Sequence, residues 1–134
     1  MSGTIKPDKV SSAIMSILED YTEDVEGATE KAIDKVARQT VKNLKNYRPD
    51  GAEAYGSWTK YLAGWTSRAD KTSKYKYKRT VHNKTRYMLA HLLEHGHNDK
   101  SGQPFAKAFP HIKIAEDKAA KLIDTEITKE IEKI

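Results

Sequence analysis

The 134 residues are 37% apolar and 32% charged, with a net charge of +5 and no cysteine. That composition suits one domain with a modest core and excludes disulfides and thiolate metal sites. No apolar run approaches the roughly 18 residues of a membrane span and the N-terminus has no signal-peptide stretch, so the chain is expected to be made in a cytoplasm and to stay off membranes.

From Asp8 to Tyr47 the residues Val10, Ile14, Ile17, Tyr21, Val25, Ala28, Ala32, Val36 and Leu44 recur at helical spacing, with a gap near Gln39. Pro7 and Asp8 suit the start of this helix, and Arg48-Pro49-Asp50-Gly51 ends it. Forty helical residues reach about 60 Å. Gly27, beside Glu23, Asp24 and Glu26, is therefore expected to kink or split the helical segment 1–47.

The segment 57–83 is expected to form strands. Tyr75, Tyr77, Arg79 and Val81 alternate with Lys74, Lys76, Lys78, Thr80 and His82, a period of two in a Tyr- and Val-containing stretch. Trp58 to Arg68, with Gly64 as a bulge, reads as the partner strand, and Ala69 to Ser73 as the hairpin loop. Two strands alone are marginal, so they need a helix or another chain to pack on. Residues 85–95 form a short amphipathic helix closed by Gly96. A loop containing Asn98 to Gly102 follows, and then Pro104, Phe105, Phe109 and Pro110, read as a lid that docks the last helix. That helix spans 110–134 on Ile112, Ala115, Ala119, Leu122, Ile123, Ile127, Ile131 and Ile134, with Glu126/Lys129 and Glu130/Lys133 expected on its outer face. The element order gives a single-domain α+β fold: a long N-terminal helix, a small central antiparallel sheet, a short helix and a long C-terminal amphipathic helix.

Charge is distributed unevenly: residues 1–47 sum to −1, 48–97 to +6 and 98–134 to 0. Lys71, Lys74, Lys76, Lys78, Arg79, Lys84 and Arg86 stand together with no acid among them, a patch suited to a DNA channel or an acidic partner. Lysines on an exposed strand face also discourage unwanted edge pairing.

Two motifs carry enzymatic alternatives. His91, Glu94 and His95 match an H-x-x-E-H zinc-peptidase pattern, with both imidazoles on one helix face and Glu116 as the nearest third ligand. Against this, His95 lies in the last turn before Gly96, where the helix dipole favours the protonated imidazole that cannot bind metal. His82-Asn83 with the later histidines reads as an H-N-H-type nuclease that holds DNA on the basic strand. The reading adopted is that no residue is catalytic, no metal or cofactor is bound, and residues 87–109 shape a corner that docks the last helix.

Tyr87, Leu92, Glu94, Gly96 and His97, followed by Pro104, Phe105 and Phe109, trace the pattern Tyr-x-x-x-x-Leu-x-Glu-x-Gly-His then Pro-Phe-x-x-x-Phe. With the long helix before it and the amphipathic helix after it, this resembles the tail-component family of long-tailed bacteriophages from about Ala28 to Ile127. The chain departs from that family at Tyr55-Gly56-Ser57-Trp58 and Tyr61-Leu62-Ala63-Gly64-Trp65, where members carry a Pro-x-x-Thr-Gly-x-Leu turn. It also has His95 where they have an aromatic residue. The resemblance implies a non-enzymatic virion protein of the tail or neck, a tail-completion or head-tail connector component. It implies a ring of six subunits around the DNA channel, neighboured by head-closure, tail-terminator or tail-tube proteins, with non-specific DNA contact in the channel. The interfacial parts would be the 48–57 loop, the strand Lys74 to Arg79 and the 98–103 loop.

Overall fold

A computed structural model of the chain describes residues 7–48, 58–72, 76–98, 104–106 and 108–134. Helix α1 runs from Pro7 to Lys45 without interruption. Proline is well placed in a first helical turn, where its missing N–H has no partner to lose. Gly27 does not split the helix. A glycine costs about 1 kcal/mol against alanine in a helix interior, and tertiary packing on two sides outweighs that here. On one side lies helix α4, Ile112–Glu132. It runs antiparallel to α1, with Ala28 beside Glu130 and Ile134 at one end. At the other end the Tyr47 hydroxyl donates to the Pro110 carbonyl at 3.0 Å. On the other side the acids that looked like a helix break serve as docking points: Glu30 and Glu26 accept Lys71 at 2.5 and 3.4 Å.

The stretch from Trp58 is not a strand. Trp58–Ala63 forms helix α2, because Trp58, Tyr61 and Leu62 follow the spacing i, i+3, i+4 and so fall on one side of a helix, with Trp65 just beyond its end. All four are buried. A six-residue helix is unstable alone, so this burial is what holds it.

Strand β1, Trp65–Lys71, pairs antiparallel with β2, Tyr77–Asn83, from Trp65↔Asn83 to Lys71↔Tyr77. The expected hairpin is present, but Ala69, Asp70 and Lys71 belong to the strand and the connection starts after them. The two strands gain their stability by packing on α1.

Gly64 sits where α2 gives way to β1. A Cβ there would lie 2.3 Å from Thr85 Oγ1 and 2.5 Å from Asn83 Oδ1. Asn83 cannot easily move. Its amide donates to the Tyr61 carbonyl at 2.7 Å, and its Oδ1 accepts the Arg86 and Thr85 amides at 2.9 and 3.3 Å, closing the turn into the next helix. Gly64→Ala is therefore expected to lower the unfolding free energy by about 1–3 kcal/mol, the usual range for overpacking, as read from urea denaturation.

Helix α3, Tyr87–His95, ends at Gly96, whose φ of 68° is the left-handed conformation that favours glycine. Beyond it His97–Asn98 (β3) pairs antiparallel with Pro104–Ala106 (β4), a short ladder in what the sequence presented as a loop. The core gathers Leu44, Trp58, Tyr61, Leu62, Trp65, Phe109 and Ala115, with Leu89, Leu93 and Ile112 packed against it.

Helix α4 departs from expectation in one respect. Glu126 and Glu130 keep their lysines, Lys129 at 3.6 Å and Lys133 at 3.0 Å, but both acids are buried instead of lying on the outer face. Lys35 of α1 reaches Glu126 at 2.8 Å. This ammonium, in an ion pair with the carboxylate, holds the Glu126 carboxyl below its usual range. The α1–α4 contact thus changes from apolar to ionic towards the end of α4. Among the described residues no helix is long and apolar enough to cross a membrane.

Candidate functional site

The corner between α3 and α4 is built around one carboxylate. The first amides of a helix have no partners within it, and α4 starts at His111, whose side chain does not cap it. Glu94, on the last turn of α3, does so from 17 residues away. Its Oε1 accepts the backbone N–H of His111 and of Ile112, both at 2.7 Å, and its Oε2 accepts that of Lys113 at 3.0 Å. The negative charge also meets the positive end of the α4 dipole. Burial by itself would raise the Glu94 pKa, but the three backbone donors together with His111 bring it below the usual carboxylate range. A second tie joins the Phe109 amide to the Leu93 carbonyl at 2.6 Å.

Beneath the corner lies His111, enclosed by the rings of Tyr47, Trp58, Tyr61 and Trp65 at centroid distances of 5.7–6.3 Å. Its Nδ1 faces two acceptors, the Phe109 carbonyl at 2.7 Å and Glu94 Oε1 at 3.2 Å, so the proton resides on Nδ1. Nε2 then accepts from the Tyr61 hydroxyl at 2.6 Å. Burial depresses the imidazole pKa more than Phe109 and Glu94 raise it, and so His111 is neutral at pH 7. Burial, with Glu94 nearby, raises the Tyr61 pKa. The order hydroxyl, imidazole, carboxylate is that of a nucleophile relay, but Tyr61 and His111 are each only 1% exposed, so the relay acts as an internal strut.

Of the residues that the sequence presented as the corner, Glu94, Gly96 and Phe109 build it. Tyr87 and Leu92 do not, at 71% and 38% exposed; Leu89 and Leu93 face the core in their place. The backbones of His97, Pro104 and Phe105 belong to the β3–β4 ladder. His111, Tyr61 and Asn83 were not singled out from the sequence. A signal for the cap was present, since Glu94 is the only acid between Asp70 and Asp99 and α4 begins with no side-chain acceptor of its own.

The H-x-x-E-H residues divide. His91 and His95 lie side by side on the exposed face of α3, with centroids 4.9 Å apart and ring planes inclined at 58°, while Glu94 faces the other way with both oxygens occupied. Glu116 is exposed on α4. Among the described residues no three His, Asp or Glu side chains come together as a metal site. In the H-N-H reading, His82 is half-buried on β2 and Asn83 is engaged in holding α2 and α3.

The basic patch is also divided. Lys71 lies against Glu26 and Glu30. Arg79 contacts Asp34 at 2.9 Å and Ser67 at 3.0 Å, and the Tyr77 hydroxyl donates to Asp34 as well. Burial pushes the Asp34 pKa up, but Tyr77 and Arg79 outweigh it and leave the carboxyl below its usual value. These cations attach the hairpin to α1. Lys76, Lys78, Lys84 and Arg86 are exposed, with no ion-pair partner among the described residues. Lys74 and most of the 48–57 and 98–103 loops lie outside the described residues.

Comparison with protein-family models, with curated proteins and with solved structures found no match.

Proposed function

We propose that the chain is a non-enzymatic joining component of a tailed bacteriophage or prophage particle, a tail-completion or neck protein that assembles as a ring around the DNA channel. The observation that carries the reading is the role of Glu94. The motif by which the chain resembles the phage tail components places its carboxylate on the first turn of α4 and its glycine at a left-handed helix end. Those residues set the angle between two helices, the architectural role that the resemblance implies for them. The exposed Lys76 and Lys78 on the hairpin suit a surface near DNA.

The four exposed cations Lys76, Lys78, Lys84 and Arg86, taken together, favour the alternative of a small DNA-binding or HNH-like nuclease protein. That alternative loses ground because Lys71 and Arg79 are committed to α1 and Asn83 to the backbone around it. A zinc peptidase would need Glu94 free to act as a base.

The deciding experiment deletes the gene from an inducible phage or prophage and examines the products by electron microscopy. Filled heads and tails that fail to join are the expected result. Joined, infectious particles in normal yield would overturn the proposal.

A further inference from the structure

Two surfaces of opposite character remain uncovered. The apolar stripe that packs on α4 at Ala28 continues towards the N-terminus as Tyr21, Ile17, Ile14 and Val10, beyond the last turn of α4, where Glu130 lies near Ala28. Ile17, Leu18 and Tyr21 are 67, 52 and 55% exposed. Around them stand Glu19, Asp20 and Asp24, all exposed, against one cation among the described residues of that half of the helix, Lys9. At its inner end the stripe opens into a groove of about 450 Å³ between α1 and Tyr77.

The second surface is the outer face of α3. Tyr87 and Met88 are 71 and 70% exposed, next to the adjacent rings of His91 and His95, and Lys84 and Arg86 flank them, with no acid among the described residues of that face. Contiguous exposed apolar groups of this kind mark contact sites.

We propose that these two surfaces bind each other between copies of this chain: the acidic, apolar N-terminal half of α1 in one copy docks on the basic, apolar face of α3 in the next. Charge selects this pairing over α1 against α1, which would bring two net-negative surfaces together. Because the surfaces differ, the contact is head-to-tail and repeats from copy to copy, the geometry that closes into rings. The inference deepens the ring reading above and rests on it for closure, but the contact itself can be tested without the particle.

Ile17→Glu and Met88→Glu alter exposed side chains and should leave the fold intact, which circular dichroism checks. In sedimentation equilibrium of the full chain, wild type should self-associate, and each variant alone should associate at least tenfold more weakly. An equimolar mixture should recover a 1:1 dimer, since the Met88→Glu copy still carries an intact α1 and the Ile17→Glu copy an intact α3. Reversing charge at Glu19 and Asp20 to lysine, or at Lys84 and Arg86 to glutamate, should weaken association, and mixing the two reversed variants should restore it.

Wild type that stays monomeric at about 1 mM, a Met88→Glu variant that associates as wild type does, or a mixture that stays monomeric would each overturn the proposal. The second outcome would indicate α1–α1 pairing. None of the three bears on whether heads and tails join without the protein, so the two readings fail separately.

Discussion

Replacing Glu94 with alanine is expected to lower the unfolding free energy by about 2–4 kcal/mol, measured by urea denaturation at pH 7. Losing an N-cap costs roughly 0.5–2 kcal/mol, and hydrogen bonds to an ionised group are worth about 1.5–3 kcal/mol each, though not additively. Here one carboxylate serves three amides, and its side chain is only 9% exposed, so water cannot fully replace it. Glu94→Gln should lose about half as much. Its carbonyl can still accept His111 and Ile112, but its amide would confront the Lys113 N–H, donor against donor. Hydrogen exchange should quicken at those three amides first. His91→Ala, on the outer face of the same helix, should change stability by no more than about 0.5 kcal/mol. A Glu94→Ala protein as stable as wild type would show that the corner does not depend on this carboxylate.

Acid is expected to destabilise the protein well above the pH at which carboxylates protonate. His111 is held neutral in the folded chain with its pKa below the ordinary imidazole value of about 6.5. The unfolded chain then binds the extra proton. The stabilisation is complete above that ordinary value and is lost as pH falls below it towards the folded value. Between pH 7 and pH 5 this can amount to no more than about 2 kcal/mol, the ceiling set by the ordinary imidazole value. Glu94 has the same sign in a lower window: its depressed pKa contributes stability that is present above the ordinary carboxylate value and lost as pH falls through the folded one. Unfolding free energies measured from pH 7.5 to 5 should therefore decline in wild type. In His111→Gln the decline over that range should largely vanish, although that variant will be less stable throughout because it disturbs the ring cage and the Tyr61 hydrogen bond. A wild-type profile flat from pH 7.5 to 5 would mean that His111 is not buried neutral.

Elements with a long, regular period were legible in the sequence. Both long helices and α3 with its glycine stop follow from apolar spacing and one left-handed residue, properties carried by neighbours within a few positions. The alternation from Tyr77 to Val81 likewise marked β2. Helix α2 was equally legible from the spacing of Trp58, Tyr61 and Leu62, but the strand preference of Trp and Tyr pulled the reading the other way. In so short a segment burial outweighs propensity.

What Glu94 binds, where His111 lies, why Glu126 and Glu130 turn inward and which lysines of the basic run remain free were decided only by the tertiary structure. Each depends on partners far along the chain: 17 residues separate Glu94 from His111, 50 separate Tyr61 from His111, and 45 separate Asp34 from Arg79. Local pattern determines which face of a helix is apolar, because that depends on periodicity alone. The partner that a buried charge or an uncapped helix end finds is a matter of desolvation and geometry, and it is settled only once distant segments have packed together.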